Sequence, residues 1–280
     1  MTRKRRAMTL TARYILLLAL LAVMLFPIYW IVLGSLRTNS EITAMPPRIL
    51  PSVNLDFSNY SRVVGQTEFL TYYKNSLIVS GSTIVLCIVM GVMAGYSFSR
   101  YRFLGRQVAM TGILSVQMFP LVAILISLFE FFRGYGLINS LTGLVLAHLT
   151  ICLPFAIWFL KAFFDGIPRE LEEAAYIDGA GRNRTLFQII MPLARPGILA
   201  VGIYAFLMSW DDFLMALILT TRDEMRTLPV GIAISFIGEF EYDWSGMMSA
   251  SMIASLPILI LFIFLSRYMV EGLTQGALKG

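Results

Sequence analysis

The sequence predicts an all-α membrane protein whose chain crosses the bilayer six times. Hydrophobic residues make up 58% of its 280 residues and charged ones 14%, with a mean hydropathy of +0.75. A soluble chain carries charge on about a quarter of its residues. Several apolar runs exceed the roughly eighteen residues needed to cross hydrocarbon. Lys and Arg also concentrate on alternate connections, the distribution that orients membrane proteins.

The six spans read as residues 14–35, 76–98, 108–132, 141–164, 197–220 and 248–268. Arg3, Lys4, Arg5 and Arg6 precede the first run like the start of a secretory signal. That run continues past Pro27 through Trp30 and Val32 with no Ala-x-Ala cleavage site, so it reads as a true span. Residues 1–13 form a basic cytoplasmic terminus, residues 14–268 the transmembrane domain and residues 269–280 a cytoplasmic tail. In this orientation fifteen of the 22 Lys and Arg lie inside, and the net charge of +5 divides into +9 inside and −4 elsewhere. The basic balance therefore reflects topology, not nucleic-acid binding.

The first outside loop, residues 36–74, is rich in Pro, Asn, Ser and Tyr. It reads as extended, then as a short helix near residues 60–64, then as an interfacial approach through Phe69, Tyr72 and Tyr73. The inside loop at residues 99–106 reads as a basic anchor. Within the spans, Gly91 and Gly95 permit close helix approach, and Pro27, Pro120, Pro154 and Pro257 can kink their helices. Cys87 and Cys152 are single residues inside spans, with no disulfide framework or metal spacing. His148, the one histidine, reads as a packed or hydrogen-bonded core residue. The last outside loop, residues 221–246, carries an acidic aromatic run in which Glu239, Glu241, Tyr242 and Trp244 are candidate contacts to an external protein, or else simply solvated.

The most informative stretch is the polar insert of residues 165–196, about thirty residues where a short turn would suffice. Pro168 suits a first helical position, and Glu170, Glu172 and Glu173 suit the positive end of the helix dipole. Gly179 can supply a left-handed exit. Ile167, Leu171, Ala174 and Ala175 share one face by spacing. A second short helix is expected from about Arg184 to Ile190, stopping before Pro192.

The insert reads Glu173-Ala174-Ala175, three residues, Gly179, nine residues, then Ile189-Ile190-Met191-Pro192. It resembles the Glu-Ala-Ala cytoplasmic loop of permease subunits in binding-protein-dependent ABC importers, with Met191 in place of the usual Leu. Trp210-Asp-Asp-Phe-Leu-Met-Ala-Leu resembles the Trp-Asn-Glu-Phe-Leu-x-Ala-Leu segment of sugar-importer permeases, departing from it at Asp211 and Asp212. Thr227-Leu-Pro-Val-Gly231 and the tail Gly272-Leu-Thr-Gln-Gly-Ala-Leu-Lys-Gly280 are similar to the last outside loop and the ending of MalG-like subunits.

The resemblance covers nearly the whole chain. It implies the type I ABC importer permease fold and sugar import of the maltose-type class. The sugar stays open among maltose, trehalose, other oligosaccharides and glycerol phosphates. The implied partners are a MalF-like second permease in a heterodimer, two copies of a cytoplasmic ABC ATPase, an extracytoplasmic solute-binding protein, the sugar and membrane lipid. Glu173, Ala174, Ala175, Asp178, Gly179, Ile189 and Pro192 are the implied ATPase-coupling residues, and the tail is implied to reach the ATPases.

The chain has no Gly-x4-Gly-Lys-Ser/Thr phosphate loop, so ATP with Mg would be held by the ATPases and this chain would carry no cofactor. Trp210, Asp211 and Asp212 either line the pathway or touch the neighbouring subunit. A carboxylate at bilayer centre costs roughly 2.5–3.5 kcal/mol, so each should face protein, water or a basic partner. An ion-coupled carrier using Asp211 and Asp212 is the alternative reading, but it gives the long insert no purpose. No catalytic constellation points to an enzyme.

Overall fold

The computed structural model describes residues 3–51, 55–237 and 242–277, and they are overwhelmingly helical. In order, the helices are α1 (Arg3–Ser35), α2 (Asn39–Ile42), α3 (Ser58–Gly65), α4 (Thr67–Arg100), α5 (Arg106–Ser115), α6 (Leu121–Gly134) and α7 (Leu141–Asp165). They continue with α8 (Glu170–Ile177), α9 (Arg182–Thr185), α10 (Met191–Leu193), α11 (Arg195–Trp210), α12 (Leu214–Leu219), α13 (Leu228–Phe236) and α14 (Trp244–Ala277).

Four helices among the described residues are long and apolar enough to cross a membrane unbroken: α1 from Leu10, α4, α7 and α14. Two helix pairs among the described residues could each form one broken span, α5 with α6 and α9–α10 with α11, the latter bent by 78°; the first break falls at Pro120, one of the prolines read from sequence as able to kink a helix. The third expected span is split at Phe119–Pro120 into α5 and α6, with a bend of 103°. Pro120 cannot donate the amide that would carry the helix through, and it caps α6 instead. Pro27, Pro154 and Pro257, by contrast, lie inside continuous helices. The fifth does not run to residue 220: α11 stops at Trp210 and α12 restarts at Leu214. A helix restarting there leaves its first amides without helical acceptors, and Asp212 accepts two of them, as described below.

The chain forms two compact units, Met1–Phe69 with Ile232–Leu256, and Leu70–Gly231 with Pro257–Gly280. In the first unit α1 meets α14 at Gly34, where a Cβ would lie within 2.0 Å of the Met248 sulfur. Ser249 Oγ donates to the Ser35 carbonyl at 3.1 Å. The Asn59 amide donates to the carbonyls of Ser35 and Arg37 at 3.2 and 2.8 Å, satisfying the open end of α1. This places a helix, α3, where the sequence predicts a shorter one.

In the second unit α7 is the central element. Its Ala156–Lys161 stretch lies against Gly91 and Gly95 of α4, where added Cβ atoms would come within 3.1–3.3 Å of it, so the close approach expected there is present. A Cβ on Gly197 would meet the Phe163 ring at 2.6 Å, which sets how α11 crosses α7. Leu144, Leu160, Phe164, Ile190, Val201 and Ala205 are buried in the shared core. The stretch expected as loop after residue 226 instead contains α13. Pro229 occupies its first turn, a position that favours helix entry.

Candidate functional site

The insert folds as a helix-turn-helix fragment packed onto the ends of α4 and α7. Glu170, Glu172 and Glu173 fill the first turn of α8 and oppose the dipole charge there. The helix ends in a complete left-handed cap. Gly179 has φ +80°, its amide bonds the Tyr176 carbonyl at 3.1 Å, and the Ala180 amide bonds the Ala175 carbonyl at 2.9 Å.

The inward face of α8 differs from the apolar one expected. Glu172 and Ala175 are its buried residues, while Leu171 and Ala174 are exposed. The reason is a buried polar cluster that overrides apolar spacing. Glu172 accepts from the Tyr96 hydroxyl at 2.8 Å and pairs with the Arg100 guanidinium, both on α4. The two charged side chains are only 7% and 8% exposed. Arg100 also donates to the Ile167 carbonyl at 3.0 Å and to Ser99 Oγ at 3.1 Å. Ser99 in turn donates to Asp165 at 2.6 Å, and Arg169 donates to the Ser99 carbonyl at 3.3 Å. Both ends of the insert's entry are thus tied to the end of α4.

The second half departs from expectation as well. It does not stop before Pro192. After α9, residues Leu186–Ile190 form a π-turn, closed by the Met191 amide on the Leu186 carbonyl, and α10 follows with Pro192 in its first turn. A widened turn shifts the register so that proline falls where no amide partner is required. Thr185, Leu186 and Ile190 are buried, whereas Ile189 is half-buried and Pro192 exposed.

Of the coupling residues read from sequence, Glu173, Ala174, Asp178 and Gly179 therefore lie on the open surface of α8 and its cap. Ala175 faces inward. Ile177, 86% exposed, and Phe187, 60% exposed, extend the uncovered surface.

Trp210, Asp211 and Asp212 separate into three environments. Trp210 is buried, stacked on Phe206 at 5.4 Å and edge-on to Tyr73 at 5.7 Å. Asp211 is exposed at the end of α11. Asp212 accepts from the Met215 and Ala216 amides at 3.2 and 3.0 Å, which starts α12. Its carboxylate also lies 3.4 Å from Nε2 of His148, a buried residue of α7. That separation brings the pair into ion-pair range without a hydrogen bond among the described residues. His148 is a core residue, as its position suggested. Its nearness to Asp212 left no trace in the sequence.

In the first unit the Tyr242 and Trp244 rings stack at 5.6 Å. Asn39 donates to the Tyr242 carbonyl at 2.9 Å and accepts from the Trp244 amide at 3.0 Å. Arg62 pairs with Asp243. Glu239 and Glu241, and the residues 278–280 of the tail, lie outside the described residues.

Residues 87–275 match the family described as "Binding-protein-dependent transport system inner membrane component". The chain is 37% identical to the sulfoquinovosyl glycerol transport system permease protein SmoH of Agrobacterium fabrum, over 96% of this chain and 93% of that one. It is 34% identical to the trehalose/maltose transport system permease protein MalG of Thermococcus litoralis, over 91% and 92% of the two chains. A crystal structure of a bacterial ABC transporter involved in import of the acidic polysaccharide alginate shares its fold, with a TM-score of 0.84 at 23% identity, over 96% and 98% of the chains. The chain belongs to this family: it is a MalG-like, multi-pass inner-membrane permease subunit of an ABC importer, a transporter component and not an enzyme.

Proposed function

We propose that the chain forms half of a transmembrane pathway for a di- or oligosaccharide and takes its energy from a cytoplasmic ATPase dimer through residues 165–196. Carbohydrate as substrate is supported by the relatives: permeases for trehalose/maltose, for diacetylchitobiose and for arabinooligosaccharides are among them. The observation that carries the coupling role is the construction of α8. It is a capped helix, fastened through buried Glu172 to α4, with Glu173 and Ala174 left facing outward.

A helix fastened to a span on one side and open on the other transmits displacement without absorbing it. ATP would close the ATPase dimer, move the docked α8 and bias the spans between inward-open and outward-open arrangements. Shifting such a pair of states from 1:99 to 99:1 takes about 5.5 kcal/mol of differential binding, and nucleotide-driven closure is the source we assign. The ATPases, two copies, hold ATP and Mg; this chain holds no cofactor. A MalF-like subunit completes the pathway, both termini are cytoplasmic, and a solute-binding protein meets the surface near Tyr242 and Trp244. Asp212 is disfavoured as an ion-coupling site, because both of its oxygens are engaged by α12 amides.

Ala174→Trp tests the reading. Its side chain is exposed, so the variant should insert and assemble normally yet lose substrate-stimulated ATP hydrolysis. Full stimulation in an assembled Ala174→Trp complex would refute coupling through this face.

A further inference from the structure

The inside loop between α4 and α5, read from sequence only as a basic anchor, borders an open recess of about 640 Å³ in the second unit. Its lining combines two chemistries. Arg102, Arg106 and Lys161 supply three cationic side chains, and Phe98, Phe103 and Val108 supply apolar wall. Lys161 is shared with Asp165, toward which Arg106 also acts electrostatically. Arg102 has no hydrogen bond or ion pair among the described residues. The cluster therefore keeps a net positive charge after its one carboxylate is counted.

The wall is built to remain open. Gly105, at φ +80°, turns the chain sharply into α5. The first helical bond of α5 comes from Ala109 to Gly105, leaving the Gln107 and Val108 amides without a helical acceptor on the same lining. Beside the cations, Leu104 is fully exposed, Val108 76% and Phe103 46% exposed. A cationic recess rimmed by uncovered apolar side chains, at the end of a membrane span, matches a phosphate headgroup joined to acyl chains. It matches an acidic protein segment less well, because such a segment offers the rim no apolar partner.

We propose that this corner binds the headgroup of an anionic phospholipid, with Arg102 and Arg106 on the phosphate and Leu104 and Val108 against the acyl region. Basic recesses between span ends suit such headgroups, each nearby cation contributing attraction to an anionic leaflet. The site is separate from the coupling face of α8 and stands or falls independently of it.

The test is native mass spectrometry of the assembled transporter in mild detergent, titrated with phosphatidylglycerol, with phosphatidylcholine, and with inorganic phosphate alone. Wild type should retain one more phosphatidylglycerol than the Arg102→Gln/Arg106→Gln variant, with an affinity about tenfold or more higher for two removed charges. Arg102→Gln alone, at an exposed side chain, should give a smaller loss with unchanged assembly. Equal retention by wild type and both variants, equal retention of phosphatidylcholine, or displacement by inorganic phosphate at a comparable concentration would each overturn the proposal.

Discussion

Glu172 fixes where α8 sits. It is buried with its charge, and it survives there because Tyr96 and Arg100 supply donors from α4. Removing one partner of such a pair strands the other charge, at a cost of about 3–5 kcal/mol. Glu172→Ala should therefore expose the insert to protease, and Arg100→Ala should do the same. Because the two residues act as one pair, the double variant should cost less than the sum of the singles, and thermal unfolding of all three measures that coupling. Gly179 presents a different problem. A Cβ there would meet nothing within 4 Å, so only its left-handed backbone resists substitution. Gly179→Ala should cost about 1–2 kcal/mol, and Gly179→Asn should cost less, because Asn tolerates that region; equal losses would show that backbone is not the cause.

At the level of elements, the sequence made α8 legible from its ends: acidic residues in the first turn and a glycine after the last. It could not show which face turns inward, because three glutamates in one turn are equivalent until Arg100, seventy-two residues earlier, selects one. Ala175, expected at an outer contact, is consequently interior, and Ala175→Trp should destabilise the insert itself. The second half misled for a local reason: Pro192 reads as a stop, and the π-turn before it removes the conflict. The break after Trp210 was equally hidden, since an apolar run looks continuous until an aspartate within it caps a new helix. Asp212→Ala should cost about 1 kcal/mol for the lost cap, and Asp212→Asn, which keeps an acceptor oxygen, should recover most of it; hydrogen exchange at Met215 and Ala216 distinguishes the two.

For the molecule as a whole, the long apolar runs were legible because hydrocarbon thickness imposes their length, four of them appearing as unbroken helices among the described residues, while the loop pairings were not, because they join residues far apart in sequence. Arg62 and Asp243 are such a pairing, in the first unit. Burial opposes the Asp243 charge, but hydrogen bonds from Arg62, the Gly246 amide and Ser245 prevail and hold its carboxyl below the ordinary value of 3.8. The contribution is then complete above pH 3.8 and lost as pH falls through the lower folded value. Hydrogen exchange in α3 should accelerate only below that point. Asp243→Asn should flatten its share of the change, leaving the part due to Asp56, which Ser58 also holds below its ordinary value.

Helix α1 has one more consequence. None of the eighteen residues in its most apolar window is buried by the rest of the chain. Such a rod draws its stability from hydrocarbon and from whatever neighbour the complete assembly provides. An orphaned copy of this subunit would thus display a greasy, unclaimed flank to the bilayer, a mark by which cellular surveillance could tell unassembled permease from finished transporter.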